Sequence, residues 1–265
     1  IEMINRRIKK NNPDVVINFY EILAGLSHLR FSLDVPFINI GHQYLIKHPL
    51  YTHGKGDGQG MMLYRLFTLL SGIGAAKTLA LSFYPLKDHV YERIIVVPPL
   101  LRKEILSLNP TDGNYILGYL LNEGYEEEVR EWHKKNPDIE LNFFWDKEGV
   151  PRELVVDSSL MLHKLDDQKF LNFMSRCKGY VTTAGFESVC EAFYLNKPAM
   201  LMPAHLEQEV NAADAASIGA GIVADKFDIS LLLDYIETRD SDNTSFKKWV
   251  DSAEEVFLHQ LTSFV

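Results

Sequence analysis

The sequence predicts an α/β protein with parallel sheets, arranged as two doubly wound domains of which the first is incomplete. Three observations predict it. Ten short β-branched or apolar runs alternate with segments of helical periodicity, as strands joined by helical crossovers do. A proline pair, Pro98-Pro99, follows one of these runs and fixes an extended backbone there, which marks a linker. Beyond the linker the alternation supplies about six strands, a complete unit, whereas only about four precede it.

In chain order, Asn11-Asn12-Pro13 ends a helix and feeds the first run at 14–17, followed by runs at 37–40, 78–83 and 94–97. After Val97-Pro98-Pro99-Leu100-Leu101-Arg102 and the turn-forming Asn109-Pro110-Thr111-Asp112-Gly113, runs recur at 115–121, 141–145, 160–163, 180–183, 199–202 and 221–223. Helical patterns at 125–135 and 167–177 lie between them. The last one, 245–261, carries Phe246, Trp249, Val250, Ala253, Val256 and Phe257 at helical spacing and is expected to pack across a domain surface. The expected organisation is therefore a first domain at 1–101, a second at 112–237 and a C-terminal helix at 245–265 packed across both. Because the chain opens on Ile1-Glu2-Met3, with neither an initiator methionine nor a signal-peptide pattern, further residues are expected upstream, and the first domain is read as a later part.

Composition narrows the function. Twenty-seven basic against 36 acidic side chains give a formal charge of −9, which argues against a phosphate-tracking nucleic-acid surface. Cys177 and Cys190 lie in apolar helical contexts without a disulfide framework or paired metal spacing, so a reducing, cytoplasmic setting is expected. The most apolar helical stretch, 60–76, is interrupted by Arg65 and is too short and glycine-rich for a membrane span. Peripheral contact with the inner face of a membrane stays open.

The chemistry-bearing segment runs from Thr182 to Ala212. A strand at 180–183 leads through Ala184-Gly185 into a helix at 186–195, with Pro198 opening the next strand. Phe186, Val189, Cys190 and Phe193 form the buried stripe of that helix and leave Glu187, Ser188 and Glu191 on other faces. Gly185 lets an anion approach the free N–H groups of the first helical turn, where the helix dipole also favours negative charge. Glu187 and Glu191 are like charges at i, i+4 with no lysine at that spacing to offset them. They read either as a solvated face or, for Glu191, as an acceptor for vicinal hydroxyls. After the next strand, Glu207-Gln208 pairs a carboxylate with an amide, which suits sugar hydroxyls but equally suits a polar helix start. Loops after neighbouring parallel strands lie side by side, so Gly185 and Glu207-Gln208 are expected to share one crevice.

Gly185, Ser188, Glu191-Ala192, Pro198, Pro203, Glu207-Gln208 and Asn211-Ala212 occur in an order and spacing similar to the donor-binding signature of GT-B-fold glycosyltransferases. That group includes the UDP-glycosyltransferases and the peptidoglycan N-acetylglucosaminyl transferase. The resemblance implies two Rossmann-like domains and hexosyl transfer from a nucleoside-diphosphate sugar, with UDP as the expected nucleotide. The acceptor would be a hydroxyl on a glycan, lipid or small molecule, with no cofactor and no metal. It puts Thr183, Gly185, Phe186 and Ser188 at the diphosphate, Glu191 at the ribose, and Glu207 and Gln208 at the donor sugar. Leu162-His163-Lys164-Leu165 resembles the base-binding turn, which makes His163 and Leu165 base-binding candidates. Many relatives carry histidine where this chain has Thr183, so only part of that phosphate contact is expected here. The region from Asp14 to Gln43 resembles the later acceptor domain.

His42-Gln43 follows an apolar strand, and His42 is the candidate catalytic base, against the ordinary alternative of a structural loop histidine. Glu21 is a second candidate. His28, His48, His53 and His89 show no metal-ligand spacing. The glycine-rich segment 54–60 lacks the Lys-Ser or Lys-Thr of a P-loop and reads as a surface loop. Two rival functions share the fold: a nucleotide-sugar 2-epimerase, which needs acid and base carboxylates in its cleft, and a non-catalytic sugar-nucleotide-binding subunit.

Overall fold

The computed structural model describes residues 1–51, 58–89, 93–120, 124–240 and 242–262. His53 and residues 54–57 of the glycine-rich segment lie outside them. The chain divides into two compact units, one of Ile1–Leu100 with Phe246–Val265, the other of Leu101–Ser245.

The first unit holds a parallel sheet in the order β1-β2-β3-β4, with β1 at Val16–Asn18, β2 at Phe37–Ile40, β3 at Lys77–Leu81 and β4 at Ile94–Val97. Every residue of β2 is buried, which fits its unbroken run Phe-Ile-Asn-Ile and a strand covered on both faces. Helix α1 (Glu2–Asn11) precedes the first strand, and α2 (Ile22–Phe31) and α3 (Gln59–Ser71) make the crossovers from β1 to β2 and from β2 to β3. Asn18 ties three of these elements together: its amide donates to Asn39 Oδ1 at 3.0 Å and to the Ser71 carbonyl at 3.2 Å, and its oxygen accepts the Glu21 N–H.

The second unit carries α4 (Lys103–Ser107), β5 (Tyr115–Leu120), α5 (Gly124–Lys135), β6 (Glu140–Trp145), β7 (Glu153–Val155), β8 (Leu160–Lys164) and α6 (Asp167–Arg176). It continues with β9 (Gly179–Thr182), α7 (Phe186–Tyr194), β10 (Ala199–Leu201), α8 (Leu206–Ser217), β11 (Gly221–Val223) and α9 (Ile229–Thr238). Among the described residues its sheet has seven strands in the order β11-β10-β9-β5-β6-β8-β7, all parallel except β7 against β8. Strand order therefore reverses between β5 and β9, which in an open parallel sheet is where a ligand crevice forms. Gly118 permits the tight centre of this sheet, since a Cβ there would stand 1.9 Å from the Phe143 ring.

The expected final helix is two helices, α10 (Thr244–Asp251) and α11 (Ala253–Thr262). They separate at Ser252, whose hydroxyl donates to the Trp249 carbonyl at 2.7 Å and competes with the helical ladder. From Phe246 onward these residues cluster with the first unit. Trp249 Nε1 donates to the Ser82 carbonyl at 2.9 Å, and Lys77 Nζ reaches the side chain of Gln260 at 3.2 Å. No helix among the described residues is long and apolar enough to cross a membrane.

Candidate functional site

The second unit builds its site around the turn from β9 to α7. Ala184 there has φ +66°, a left-handed conformation that costs a non-glycine residue about 1 kcal/mol. Helix α8 holds it in place. Asn211 Nδ2 donates to the Ala184 carbonyl at 3.2 Å, and Gln208 Nε2 to Thr183 Oγ1 at 3.2 Å. Gln208 Oε1 accepts the Ala204 N–H at 2.9 Å, so one buried amide ties the turn after β9 to the turn after β10. Gly185 then occupies the N-cap of α7 without a side-chain cap, and Ser188 Oγ turns back to the Gly185 carbonyl at 3.1 Å. The first-turn N–H groups at 186–188 have no intrahelical acceptor by helix geometry, and they face outward at this end.

A cavity of about 200 Å³ opens beside that helix end. Its walls include Tyr119 from β5, Thr182 and Thr183 at the end of β9, Gly185, Ser188 and Arg102. It thus sits at the carboxyl ends of β5 and β9, where the strand order reverses. Leu165, Asp167 and Phe170 close it from the β8–α6 connection, and Tyr180 and Gln208 complete the lining. Burial pushes the Tyr180 phenol up to about 12, so it stays a neutral hydroxyl at the cavity floor.

Of the donor-site residues expected from sequence, the cavity brings together Thr183, Gly185, Ser188, Gln208 and Leu165. The Phe186 ring is buried with the α7 core stripe, so only its N–H points toward this helix end. Glu207 lies in the first turn of α8, half-buried, outside the lining. Glu191 differs from expectation in burial. Placed on a non-core face by helical spacing, it is 3% exposed, because Arg102 folds over it with Nε 2.6 Å from one carboxylate oxygen and Nη2 2.5 Å from the other. This bidentate pair raises the Arg102 guanidinium above its ordinary range.

His163 stands behind the cavity rather than in its lining. The imidazole is 1% exposed, stacked 4.7 Å from the Phe144 ring, with Nε2 2.9 Å from Asn142 Oδ1 and Nδ1 2.9 Å from Lys169 Nζ. Since an ammonium only donates, Nδ1 is the acceptor and Nε2 carries the proton. Burial first, and the Lys169 charge second, lower its pKa to about 4. Lys169 also pairs with Glu153 on β7, so the edge strand anchors this polar chain.

With this geometry in view, the chain's likeness to known proteins is specific. The sequence model of glycosyl transferase family 1 matches residues 1–238. The chain belongs to glycosyl transferase family 1. Among curated proteins none matches it. Solved structures share its fold. The Phytolacca americana UGT2 complexed with UDP-2fluoro-glucose and pterostilbene superposes with a TM-score of 0.65 at 10% identity, covering 99% of this chain and 79% of that one. The glycotransferase of kitacinnamycin gives a TM-score of 0.60 at 16% identity, over 97% of this chain and 75% of that one. SnogD from Streptomyces nogalater gives 0.52 at 13% identity, over 97% and 75%. This family 1 member is thus a glycosyltransferase with the two-domain Rossmann-like fold of that group.

In the first unit of this glycosyltransferase, His42 opens a short 3₁₀ turn after β2 and is 4% exposed. Its Nδ1 lies 2.9 Å from the Leu81 carbonyl, which fixes the tautomer with the proton on Nδ1. Burial lowers its pKa to about 4, against a smaller opposing effect of that carbonyl. Glu21 is the N-cap of α2, accepting the Leu23 N–H at 3.1 Å. His28 stacks on Phe37, and His48 bonds the Lys87 carbonyl at 2.7 Å. Sequence reasoning missed Arg102, Tyr119, Asp167, Phe170 and Tyr180 as cavity residues. Tyr119 and Tyr180 could have been found as aromatic residues at or near the ends of strands flanking the reversal, but no local pattern marks Arg102.

Proposed function

We propose that the enzyme transfers a sugar from a nucleoside-diphosphate sugar, UDP-linked, to a hydroxyl acceptor without a bound metal. The observation that carries this reading is the uncapped amino end of α7 opening on a cavity at the strand-order reversal. Helix-terminal N–H groups aimed where a departing diphosphate gathers charge stabilise it electrostatically and need no reorganisation. In this reading Thr183, Gly185, Phe186 and Ser188 serve the diphosphate, the last three through the turn and the first-turn backbone. The β8–α6 turn with Leu165 takes the base, and His163 positions that turn from behind. Gln208 and Glu207 face the sugar, and Glu191 the ribose hydroxyls. His42, neutral at physiological pH, is the candidate proton acceptor for the hydroxyl nucleophile. The acceptor is a glycan, lipid or small molecule. The Phytolacca structure, a complex with UDP-2fluoro-glucose and pterostilbene, supports the small-molecule option.

The test is product analysis. The protein incubated with UDP-glucose or UDP-N-acetylglucosamine and a panel of hydroxyl acceptors should release UDP and yield an acceptor heavier by one sugar. Epimerised sugar from donor alone would sink the transferase reading in favour of the 2-epimerase. Calorimetric UDP binding without turnover on any acceptor would favour the binding-subunit alternative.

A further inference from the structure

Glu191 is a carboxylate at 3% exposure beside a cavity, and such a charge is costly to bury unless it is paired. Arg102 supplies the pairing, using one edge of its guanidinium, Nε and Nη2. The side chain keeps 40% of its surface exposed and forms part of the cavity wall together with Gly185 and Ser188. Among the described residues it is the only cationic side chain in that lining. Asp167, in the same lining, and Glu104 are the other charges that act on it. The guanidinium has five N–H groups, so two bonds to Glu191 leave donors for a second anion.

We propose that the Arg102–Glu191 pair is a two-way exchange switch that makes the site selective for ribonucleoside diphosphates. The proposal rests on the donor-site reading above. On donor binding, Arg102 leaves the carboxylate for the diphosphate oxygens, and Glu191 accepts the two ribose hydroxyls in its place. Either exchange alone is unfavourable. A diphosphate without a ribose diol would take Arg102 and strand a buried carboxylate, and a nucleoside without phosphate would take Glu191 and break both Arg102 bonds, a smaller cost because 40% of that side chain is in solvent. A ligand carrying both groups replaces both partners at once. Affinity is therefore coupled between two ends of the ligand through one ion pair, a coupling of the kind that reciprocal linkage requires.

Calorimetry without divalent cations tests it with UDP, 2′-deoxy-UDP, uridine and inorganic pyrophosphate. Wild-type protein should bind UDP at least tenfold more tightly than any of the other three. Glu191→Gln removes the charge that retains Arg102, so pyrophosphate affinity should rise about tenfold while the preference for UDP over 2′-deoxy-UDP falls below threefold. UDP binding to the wild type together with unchanged or weakened pyrophosphate binding to Glu191→Gln overturns the exchange. No UDP binding to the wild type overturns the donor-site reading itself. If Glu191→Gln does not fold, the Arg102 Nε–H proton resonance of the wild type replaces it. It should move on addition of UDP and stay in place with uridine, and a resonance unmoved by bound UDP overturns the exchange.

Discussion

Removing one half of the Arg102–Glu191 pair leaves two different problems, because the guanidinium keeps 40% of its side chain in solvent and the carboxylate only 3%. Arg102→Met strands a buried charge and should destabilise the protein by about 3 kcal/mol in urea unfolding, the low end for a broken buried pair. Glu191→Gln leaves a cation that water can reach and should cost clearly less. Equal losses would mean that the carboxylate is hydrated in solution. The sequence raised this question without answering it: Glu187 and Glu191 stand as like charges with no local cation, and the partner arrives from 89 residues away. Two of the buried histidines, His42 and His163, set a pH dependence. An unfolded imidazole takes a proton near pH 6.5, whereas His42 and His163 do so only near 4. Between those values the unfolded chain binds more protons, so stability present above pH 6.5 is lost as pH falls toward 4. Urea midpoints should therefore drop between pH 7 and pH 4.5, and His163→Gln should flatten that drop, measured against the wild type at each pH.

At the level of elements, the turn from β9 to α7 is shaped by a helix that does not contain it. Ala184 stays left-handed while Asn211 and Gln208 of α8 hold its carbonyl and its neighbour's hydroxyl. Asn211→Ala should leave the buried Ala184 carbonyl without that donor, lowering stability by about 1–3 kcal/mol and weakening UDP binding in parallel. Lost stability with unchanged UDP affinity would separate the brace from the site. Sequence made the strand-turn-helix legible, since Phe186, Val189, Cys190 and Phe193 mark the buried face of α7 as expected. It could not show the brace: Gln208 reads as a sugar-binding candidate and Asn211 as a member of the donor signature, and helical spacing does not name partners 25 and 27 residues earlier. The central parallel strands were legible for a related reason: β2, β9 and β10 are buried at every residue and read as short β-branched or apolar runs. Strand β7 was not, because an edge strand with exposed Glu153 and Val155 carries no such run.

On the scale of the whole molecule, each unit has its own sheet and the chain composes them unequally: Leu101–Ser245 is continuous, while Ile1–Leu100 is completed by Phe246–Val265. Deleting 246–265 removes Phe246, Val250 and Phe257, all buried, and the Trp249 bond to Ser82. The first unit should then lose its cooperative unfolding transition, while UDP binding by the second persists. Loss of both together, followed by fluorescence and calorimetry on the truncated protein, would contradict this independence. Pro98-Pro99 stand just before the division at Leu100, yet the return of the last helices could not be read from the sequence, since an amphipathic stripe does not name the surface it covers.

That return also orders events during synthesis. As the chain emerges from the ribosome, the second unit has all its residues once Ser245 appears, whereas the first, made earlier, still lacks the helices that cover Ser82 and Phe83. Completion of the first unit therefore has to wait for the last residues of the chain, against the usual order from the amino end. In the interval the early-made half presents apolar surface to the cell, which makes it the part that chaperones would be called on to shield.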